Sequence, residues 1–227
     1  MGTVKPYTDR THAGRQLAAG LRHYKRDPGV IVLALPRGGV PVGFAVAHAL
    51  GLALDILLVR KLGMPGQEEY ALGAVASGGI RVLQRALLHE AGITPEALEA
   101  MCAREMAELA QRERRYRGTR PAPALAEHTA ILVDDGLATG ASMLAAIALA
   151  RAAEAARTVV AVPVGAPDTC AALEAEVDEL VCPLRPPMFR AVGQWYRHFE
   201  QTTDQEVIDL LAKAWHRQVP RRRSIHP

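Results

Sequence analysis

Cysteine is scarce in this chain, and its three cysteines, Cys102, Cys170 and Cys182, are widely spaced along 227 residues. They form no CxxC motif and no cysteine–histidine pattern of the kind that binds zinc. The sequence therefore predicts buried, reduced thiols in a cytoplasmic protein rather than a disulfide framework or a metal site.

Long apolar runs and a strong charge of one sign are also missing. The first residues, 1–6, lack the apolar core of a signal peptide, and Pro, Gly or charged residues interrupt every apolar run well short of a membrane span. The formal net charge is +3, and Arg221–Arg223 alone supply three positive charges. Because the remainder is near neutral, we expect neither a membrane nor a nucleic acid as partner.

The chain does contain short apolar strands that alternate with helices. Val30–Leu35 is β-branched and shows no polar alternation, which predicts a strand covered on both faces. A helix over Pro41–Leu50 and a second strand over Leu54–Val59 complete a βαβ unit. Further strands are predicted over Thr129–Val133, Thr158–Val164 and Glu179–Cys182. The pattern predicts an α/β fold, a mostly parallel twisted sheet flanked by helices.

A more polar stretch lies between the second predicted strand and the strand predicted over Thr129–Val133. Lys61–Glu69 contains Gly and Pro and is predicted to be an exposed loop, and Ala71–Leu83 a hairpin or two short strands. Thr94-Pro95 predicts the start of a long helix. An arginine cluster ends it: Arg112, Arg114, Arg115, Arg117 and Arg120. We interpret this cluster as a solvated helix end in preference to an active-site lid.

One domain accounts for all these segments. It extends over residues 1–227, with a core at about 30–182 and a helical insertion at about 85–120. A C-terminal hood with helices at about 183–217 and a basic tail at 218–227 complete the predicted organisation.

Asp134 and Asp135 follow the predicted strand Thr129–Val133 directly. Two adjacent carboxylates at the end of a buried strand are costly unless they are paired, and ribose hydroxyls or a hydrated Mg²⁺ would satisfy them. The next residues provide unhindered backbone N–H groups and hydroxyls at a helix N-terminus, which is an anion site. These residues are Gly136, Thr139, Gly140 and Ser142.

Three segments resemble the type I phosphoribosyltransferase family. Residues 131–142, ILVDDGLATGAS, resemble its phosphoribosyl pyrophosphate (PRPP) motif. Residues 35–40, LPRGGV, are similar to its pyrophosphate-binding loop, and residues 59–61, VRK, to the basic end of the next strand. As a whole, the chain resembles the widespread group of such proteins whose substrates are undefined, with N- and C-terminal segments forming a small hood.

The resemblance implies a role for each matching residue. Asp134 and Asp135 are expected to hold the ribose hydroxyls and Mg²⁺, and Arg37 and Lys61 to act with them in catalysis. The phosphate loop comprises Gly136, Leu137, Ala138, Thr139, Gly140, Ala141 and Ser142. Gly38, Gly39 and Arg60 are expected to contact pyrophosphate.

The implied function is transfer of the 5-phosphoribosyl group of PRPP to an unidentified small-molecule acceptor, for which a nucleobase is one candidate. The alternatives are a regulatory module that senses PRPP or a nucleotide without catalysis, and a hydrolase of phosphoribosyl bonds. Ala138 occupies the position of an Asp in the 6-oxopurine enzymes, which argues against hypoxanthine or guanine. The resemblance also implies a homodimer.

Two further assignments concern the surroundings of the site. Leu62–Tyr70 is the first candidate for a closing loop, with Glu68 or Glu69 as a proton-transfer group, and the arginines from Arg114 to Arg120 are the second. The aromatic residues near the C-terminus could stack on a base, but we interpret them as core anchors. They are Phe189, Trp195 and Tyr196.

Overall fold

The computed structural model of the protein describes residues 6–64, 67–76 and 79–218, with the backbone alone at residues 64, 67–71, 85–86 and 217–218. The predicted basic tail lies outside the described residues except for its first position, Gln218. Across the described ranges, no helix is both long enough and apolar enough to cross a membrane.

Helices and strands alternate as predicted except between the second strand and the sixth, where three further strands and two helices are inserted. In order they are α1 (Arg10–Leu17), β1 (Val30–Ala34), α2 (Gly39–Leu50), β2 (Ala53–Ile56), β3 (Val59–Met64), β4 (Gln67–Ala76), β5 (Arg81–Leu83), α3 (Arg85–Glu90), α4 (Pro95–Arg117), β6 (Thr129–Val133), α5 (Ala141–Ala152), β7 (Arg157–Ala161), α6 (Pro167–Glu174), β8 (Glu179–Val181) and α7 (Asp204–Gln218).

A parallel sheet in the order β2-β1-β6-β7-β8 forms the centre of the fold, which confirms the predicted class. Every residue of β1 is buried, because helices cover both faces of the sheet. Val30, Val32 and Ala34 pack against α1, α2 and α7, whereas Ile31 and Leu33 pack against α5 and α6. This two-sided burial explains why the strand lacks polar alternation.

A second, antiparallel sheet in the order β3-β4-β5 lies beside the first. It shows that the prediction of an exposed loop over Lys61–Glu69 was wrong, since most of that stretch belongs to β3 and β4. Leu62 is 1% exposed and Leu72 is not exposed, so burial of these side chains favours the strand pairing. The prediction of strands over Ala71–Leu83 is confirmed by β4 and β5.

Helix α4 is the predicted insertion, and it is anchored rather than solvated at its C-terminal end. Thr94 caps its start by accepting a hydrogen bond from the N–H of Ala97 at 3.2 Å. At the other end the Arg117 side chain is 2% exposed, bonded to Asp55 at 2.9 Å and to the carbonyl of Ile56 at 2.6 Å. The interpretation of the arginine cluster as a solvated helix end was therefore wrong for Arg117.

The N-terminal segment and the region after β8 pack together as the predicted hood. Tyr7 pairs with Tyr196 as a parallel bridge, and the N–H of Tyr7 donates to the carbonyl of Trp195 at 2.7 Å. Tyr7 and Tyr196 are 5% and 6% exposed, with Phe189 and Trp195 packed against them. The aromatic residues are core anchors of the hood, as predicted.

Candidate functional site

The site lies at the carboxyl ends of β1 and β6, where two glycine-rich loops touch. A Cβ atom added at Gly39 would lie 2.6 Å from the carbonyl oxygen of Val133 and 3.0 Å from Cα of Asp134. A Cβ atom at Gly38 would collide with the carboxylate of Asp135. Only glycine permits this approach, so the loop after β1 and the acidic pair after β6 form one site.

Two helix N-termini point into this contact. Helix α2 begins at Gly39 and helix α5 at Ala141, and neither has a side-chain hydrogen bond at its cap. Gly140, the cap of α5, has φ of 75°, a left-handed conformation that favours glycine. In α2 the N–H groups of Gly39 and Val40 already donate to backbone carbonyls, and Pro41 has no N–H. The uncapped first turn of α5, at the positive end of its helix dipole, is the part that attracts an anion.

Hydrogen bonds to the segment that follows β7 hold the loop between β6 and α5 in place. The N–H of Leu137 donates to Val164 at 2.9 Å, and the carbonyl of Leu137 accepts from Ala166 at 2.9 Å. The hydroxyl of Thr169 donates to the carbonyl of Ala138 at 2.7 Å. Leu137, which is 2% exposed, thus supports the loop from within, whereas Ala138 and Thr139 face outwards.

The acidic pair is only partly neutralised. One oxygen of Asp134 accepts a hydrogen bond from the N–H of Asp135 at 2.8 Å. Burial raises the pKa of the Asp134 carboxyl, and the charge of Asp135 raises it further. Burial also raises the pKa of Asp135, although the Arg10 guanidinium opposes this shift. A ligand with hydroxyl groups or a cation would relieve this charge.

Arg10 belongs to the site, although its role could not be predicted from the sequence. Its Nε lies 2.8 Å from Oδ2 of Asp135, and its Nη1 donates to the carbonyl of Glu200 at 2.7 Å. The guanidinium also stacks on Phe199 at 4.0 Å from the ring centre. Tyr196 adds a hydroxyl that donates to the carbonyl of Asp135 at 2.5 Å. The hood therefore contacts the acidic pair directly.

On the opposite side, Arg37 lies in a cluster around Asp204, the first residue of α7. Nη1 of Arg37 is 3.6 Å from one oxygen of Asp204, and Nη1 of Arg115 is 2.7 Å from the other. The Tyr116 hydroxyl donates to Asp204 at 2.6 Å, and this bond together with the arginines lowers the pKa of Asp204. The peptide bond between Pro36 and Arg37 is cis.

A cavity of about 90 Å³ joins the parts of the site. Its polar lining comes from three elements, namely Asp134 after β6, Ser142 in the first turn of α5 and Arg112 on α4. The other lining residues are Leu35, Pro36, Leu57, Leu58, Val59 and Leu109. Arg112 thereby faces the acidic pair from the helical insertion.

The two basic residues at the start of β3 lie outside the cavity that contains Asp134. Nη2 of Arg60 is bonded to Glu105 at 2.7 Å and to Glu108 at 2.6 Å on α4. Lys61 lines a second cavity of about 180 Å³, whose lining includes Ala141 of the phosphate loop. The structure therefore does not bring Arg60 or Lys61 into the cavity that contains Asp134. The side chains of Glu68 and Glu69, the predicted proton-transfer candidates, lie outside the described residues.

Comparison with known proteins yields consistent matches. Residues 4–194 match the family model described as phosphoribosyl transferase domain. A protein of two Mycobacterium tuberculosis strains, provisionally named a phosphoribosyl transferase, is 45% identical over 211 residues, or 93% of this chain and 47% of its own length. The chain thus spans about half the length of that relative. The crystal structure of TT1426 from Thermus thermophilus is 43% identical, with a TM-score of 0.83 over 92% of this chain and 98% of its own.

Proposed function

Because this chain belongs to the phosphoribosyl transferase domain family, we propose that it transfers the 5-phosphoribosyl group of PRPP to a small-molecule acceptor and releases pyrophosphate. The observation that carries the proposal is the contact between the two glycine-rich loops, with an acidic pair that shares its cavity with the uncapped N-terminus of α5. Ribose 5-phosphate offers the matching groups, hydroxyls at one end and a phosphate at the other.

The ribose 5-phosphate part of the ligand lies along the loop from Asp134 to Ser142. Asp134, which faces the cavity, accepts hydrogen bonds from the ribose hydroxyls. The 5-phosphate receives N–H donors from the start of α5, with the hydroxyls of Thr139 and Ser142 close by in sequence. Asp135 is held by Arg10 and completes the acidic pair.

The departing pyrophosphate faces the loop after β1. The backbone of this loop can approach it closely because Gly38 and Gly39 have no side chains. Arg37 and Arg112 supply positive charge where negative charge develops as the bond to the anomeric carbon breaks. We assign this role to Arg112 in preference to Arg60 and Lys61, because Arg60 is paired with Glu105 and Lys61 lines a different cavity.

Asp134 and Asp135 would also hold Mg²⁺, since they are adjacent carboxylates with raised pKa values. Within the described ranges, no group of three or more ligating side chains is found, so PRPP oxygens and water would complete the coordination. The ion would neutralise charge on pyrophosphate. The chain's own residues orient the sugar and keep its reacting carbon between the two loops.

The acceptor enters from the side of the hood, beside Arg10 and Tyr196. The absence of a carboxylate at Ala138 favours acceptors other than 6-oxopurines. A hydrolase or a non-catalytic sensor would use the same sugar-phosphate site, so binding alone does not distinguish these functions.

Calorimetric titration with PRPP and Mg²⁺, followed by pyrophosphate release over a panel of bases, tests the proposal. We expect binding and release that depends on one added acceptor. Release without any base would indicate the hydrolase, and binding without release from any member of the panel would favour the sensor. If PRPP does not bind, the assignment of the Asp134 loop is wrong.

A further inference from the structure

Two of the three cysteines meet beneath the phosphate loop. Cys170 lies on α6 and Cys182 directly after β8, and their sulfurs approach each other over Gly165. A Cβ atom at Gly165 would lie 2.5 Å from Sγ of Cys170 and 3.3 Å from Sγ of Cys182. Cys102 is remote from this pair, buried among residues of the other face of the sheet.

The backbone around the pair is held in place on both sides. The N–H of Gly165 donates to the carbonyl of Leu184 at 3.0 Å, and the thiol of Cys182 donates to the same carbonyl at 3.3 Å. The N–H of Ala166 donates to Leu137 at 2.9 Å. Because Gly165 has no side chain, nothing of its own separates the sulfurs, and Leu137 of the phosphate loop lies directly against it.

We propose that Cys170 and Cys182 are a redox-active dithiol, a modification site that a small-molecule disulfide converts to an intramolecular disulfide. The proposal rests on the position of the sulfurs and does not depend on the proposed transferase function. An S–S bond of about 2.05 Å requires the two sulfurs, which both lie beside Gly165, to move together.

The reaction is two successive thiol–disulfide exchanges with an oxidant RSSR. In the first, the thiolate of Cys182 attacks one oxidant sulfur, forming a Cys182–SR bond and releasing RS⁻. In the second, the thiolate of Cys170 attacks Sγ of Cys182, forming the protein disulfide and releasing the second RS⁻. The two thiol protons pass to the leaving thiolates, so the protein loses two electrons and the oxidant is reduced to two RSH.

Exposure supports this order of events. Cys170 is buried, whereas Cys182 is only partly buried and is the sulfur that an oxidant can reach. Cys170 and burial raise the pKa of the Cys182 thiol, so the first attack is the slower step. The neighbouring Cys182 and the Arg185 guanidinium lower the pKa of the Cys170 thiol. Cys170 is thus suited to the second attack, because the thiolate is the nucleophile.

The test is to incubate the reduced, folded full-length protein with oxidised glutathione and to map its cysteines by mass spectrometry without reduction. We expect a linked peptide pair that contains Cys170 and Cys182, two hydrogen atoms lighter than the separate peptides, with Cys102 free. A glutathione adduct that persists on Cys182, a disulfide to Cys102, or no modification of the folded protein would each overturn the proposal.

Single substitutions separate the two steps. Cys170→Ser should stop the reaction at a stable glutathione adduct on Cys182, and Cys182→Ser should leave Cys170 unmodified because it is buried. Cys102→Ser is the matched control and should form the disulfide as the natural sequence does. The wild-type peptide map decides the question even if a variant fails to fold.

Discussion

Two carboxylate sites lie next to the loop that follows β1, and their charge balance is opposite. Asp134 and Asp135 are adjacent, with the guanidinium of Arg10 bonded to one of them. Asp204 is a single carboxylate that receives the Tyr116 hydroxyl and ion pairs from two arginines. Accordingly, the pKa of Asp134 is raised, chiefly by burial, and the pKa of Asp204 is lowered, chiefly by the hydrogen bond from Tyr116.

The difference indicates how the site is polarised for its ligand. Ionisation of both carboxyls in the acidic pair is unfavourable without a partner, which favours hydroxyl donors or a cation as ligand there. Surplus positive charge around Asp204 favours an anion. Arg37 connects the two regions, because it follows β1 in the loop whose glycines touch Asp135. A ligand with hydroxyls beside a diphosphate, such as PRPP, would match both regions.

The buried ion pair between Asp55 and Arg117 is the reference with which the two carboxylate sites are compared. Both side chains are almost fully buried, with the Arg117 Nε 2.9 Å from Asp55. Arg117 also bonds to Glu113 and to the carbonyl of Ile56. This pair fixes the C-terminal end of α4, from which Arg115 and Tyr116 reach Asp204.

The largest effect is expected when this reference pair is broken. Arg117→Met leaves Asp55 buried without its cation, and we expect the free energy of unfolding to fall by about 3–5 kcal/mol. Denaturant unfolding measures the loss. The double variant Asp55→Asn/Arg117→Met should lose clearly less than Arg117→Met alone. An equal loss in both would mean that the ion pair does not anchor α4.

The next effect concerns the acidic pair. Asp134→Asn combined with Asp135→Asn removes both negative charges, and we expect PRPP affinity in calorimetry to fall on the order of 100-fold, since hydrogen bonds to charged groups contribute roughly 1.5–3 kcal/mol each. The circular dichroism spectrum should be unchanged, because both side chains lie at a loop. Unchanged affinity in a folded double variant would contradict the site assignment.

A smaller effect is expected on the positive side. Arg112→Ala removes a cation that lines the cavity with Asp134 and Ser142. We expect pyrophosphate affinity to fall about tenfold, equivalent to about 1.4 kcal/mol. Arg114→Ala is the matched control, an exposed arginine two positions along the same helix. If both variants bind pyrophosphate equally well, Arg112 does not contribute to the site.

The parts of the site that could be predicted from the sequence are local. The strand β6, the acidic pair and the start of α5 are contiguous in the chain, so composition and spacing specify them together. The loop after β1 could be placed beside them because the carboxyl ends of parallel strands share one edge. The structure brings the two loops into contact, as that rule requires.

The parts that could not be predicted depend on pairing between distant segments. Arg10 and Asp135 are 125 residues apart, and Tyr116 and Asp204 are 88 residues apart. No local pattern encodes these contacts, which arise only when the hood and α4 pack onto the sheet. The prediction for Lys61–Glu69 failed for a related reason, because its Gly and Pro indicate a loop while pairing with β4 makes it a strand.

The pH dependence of stability should distinguish the two carboxylate sites, because removing the charge of each carboxylate should change Tm in opposite directions. The pKa of Asp134 is raised from 3.8 to about 8, so between these values the folded state retains a proton that the unfolded state has released. The free energy of unfolding therefore falls as pH rises through this window. The Asp134→Asn variant has no titrating group at this position, so its free energy of unfolding should not fall in this way.

We therefore expect Asp134→Asn to raise the Tm of the ligand-free protein, slightly at pH 5 and by about 2–4 °C at pH 8, the shift typical of 1 kcal/mol in a chain of this size. Asp204→Asn should do the opposite. Because the pKa of Asp204 is lowered, its stabilisation is complete above the unfolded value of 3.8 and is lost only as pH falls further. That variant should lower Tm equally at pH 5 and pH 8. Parallel pH profiles for the two variants, measured by calorimetry, would contradict the opposite charge balance of the two sites.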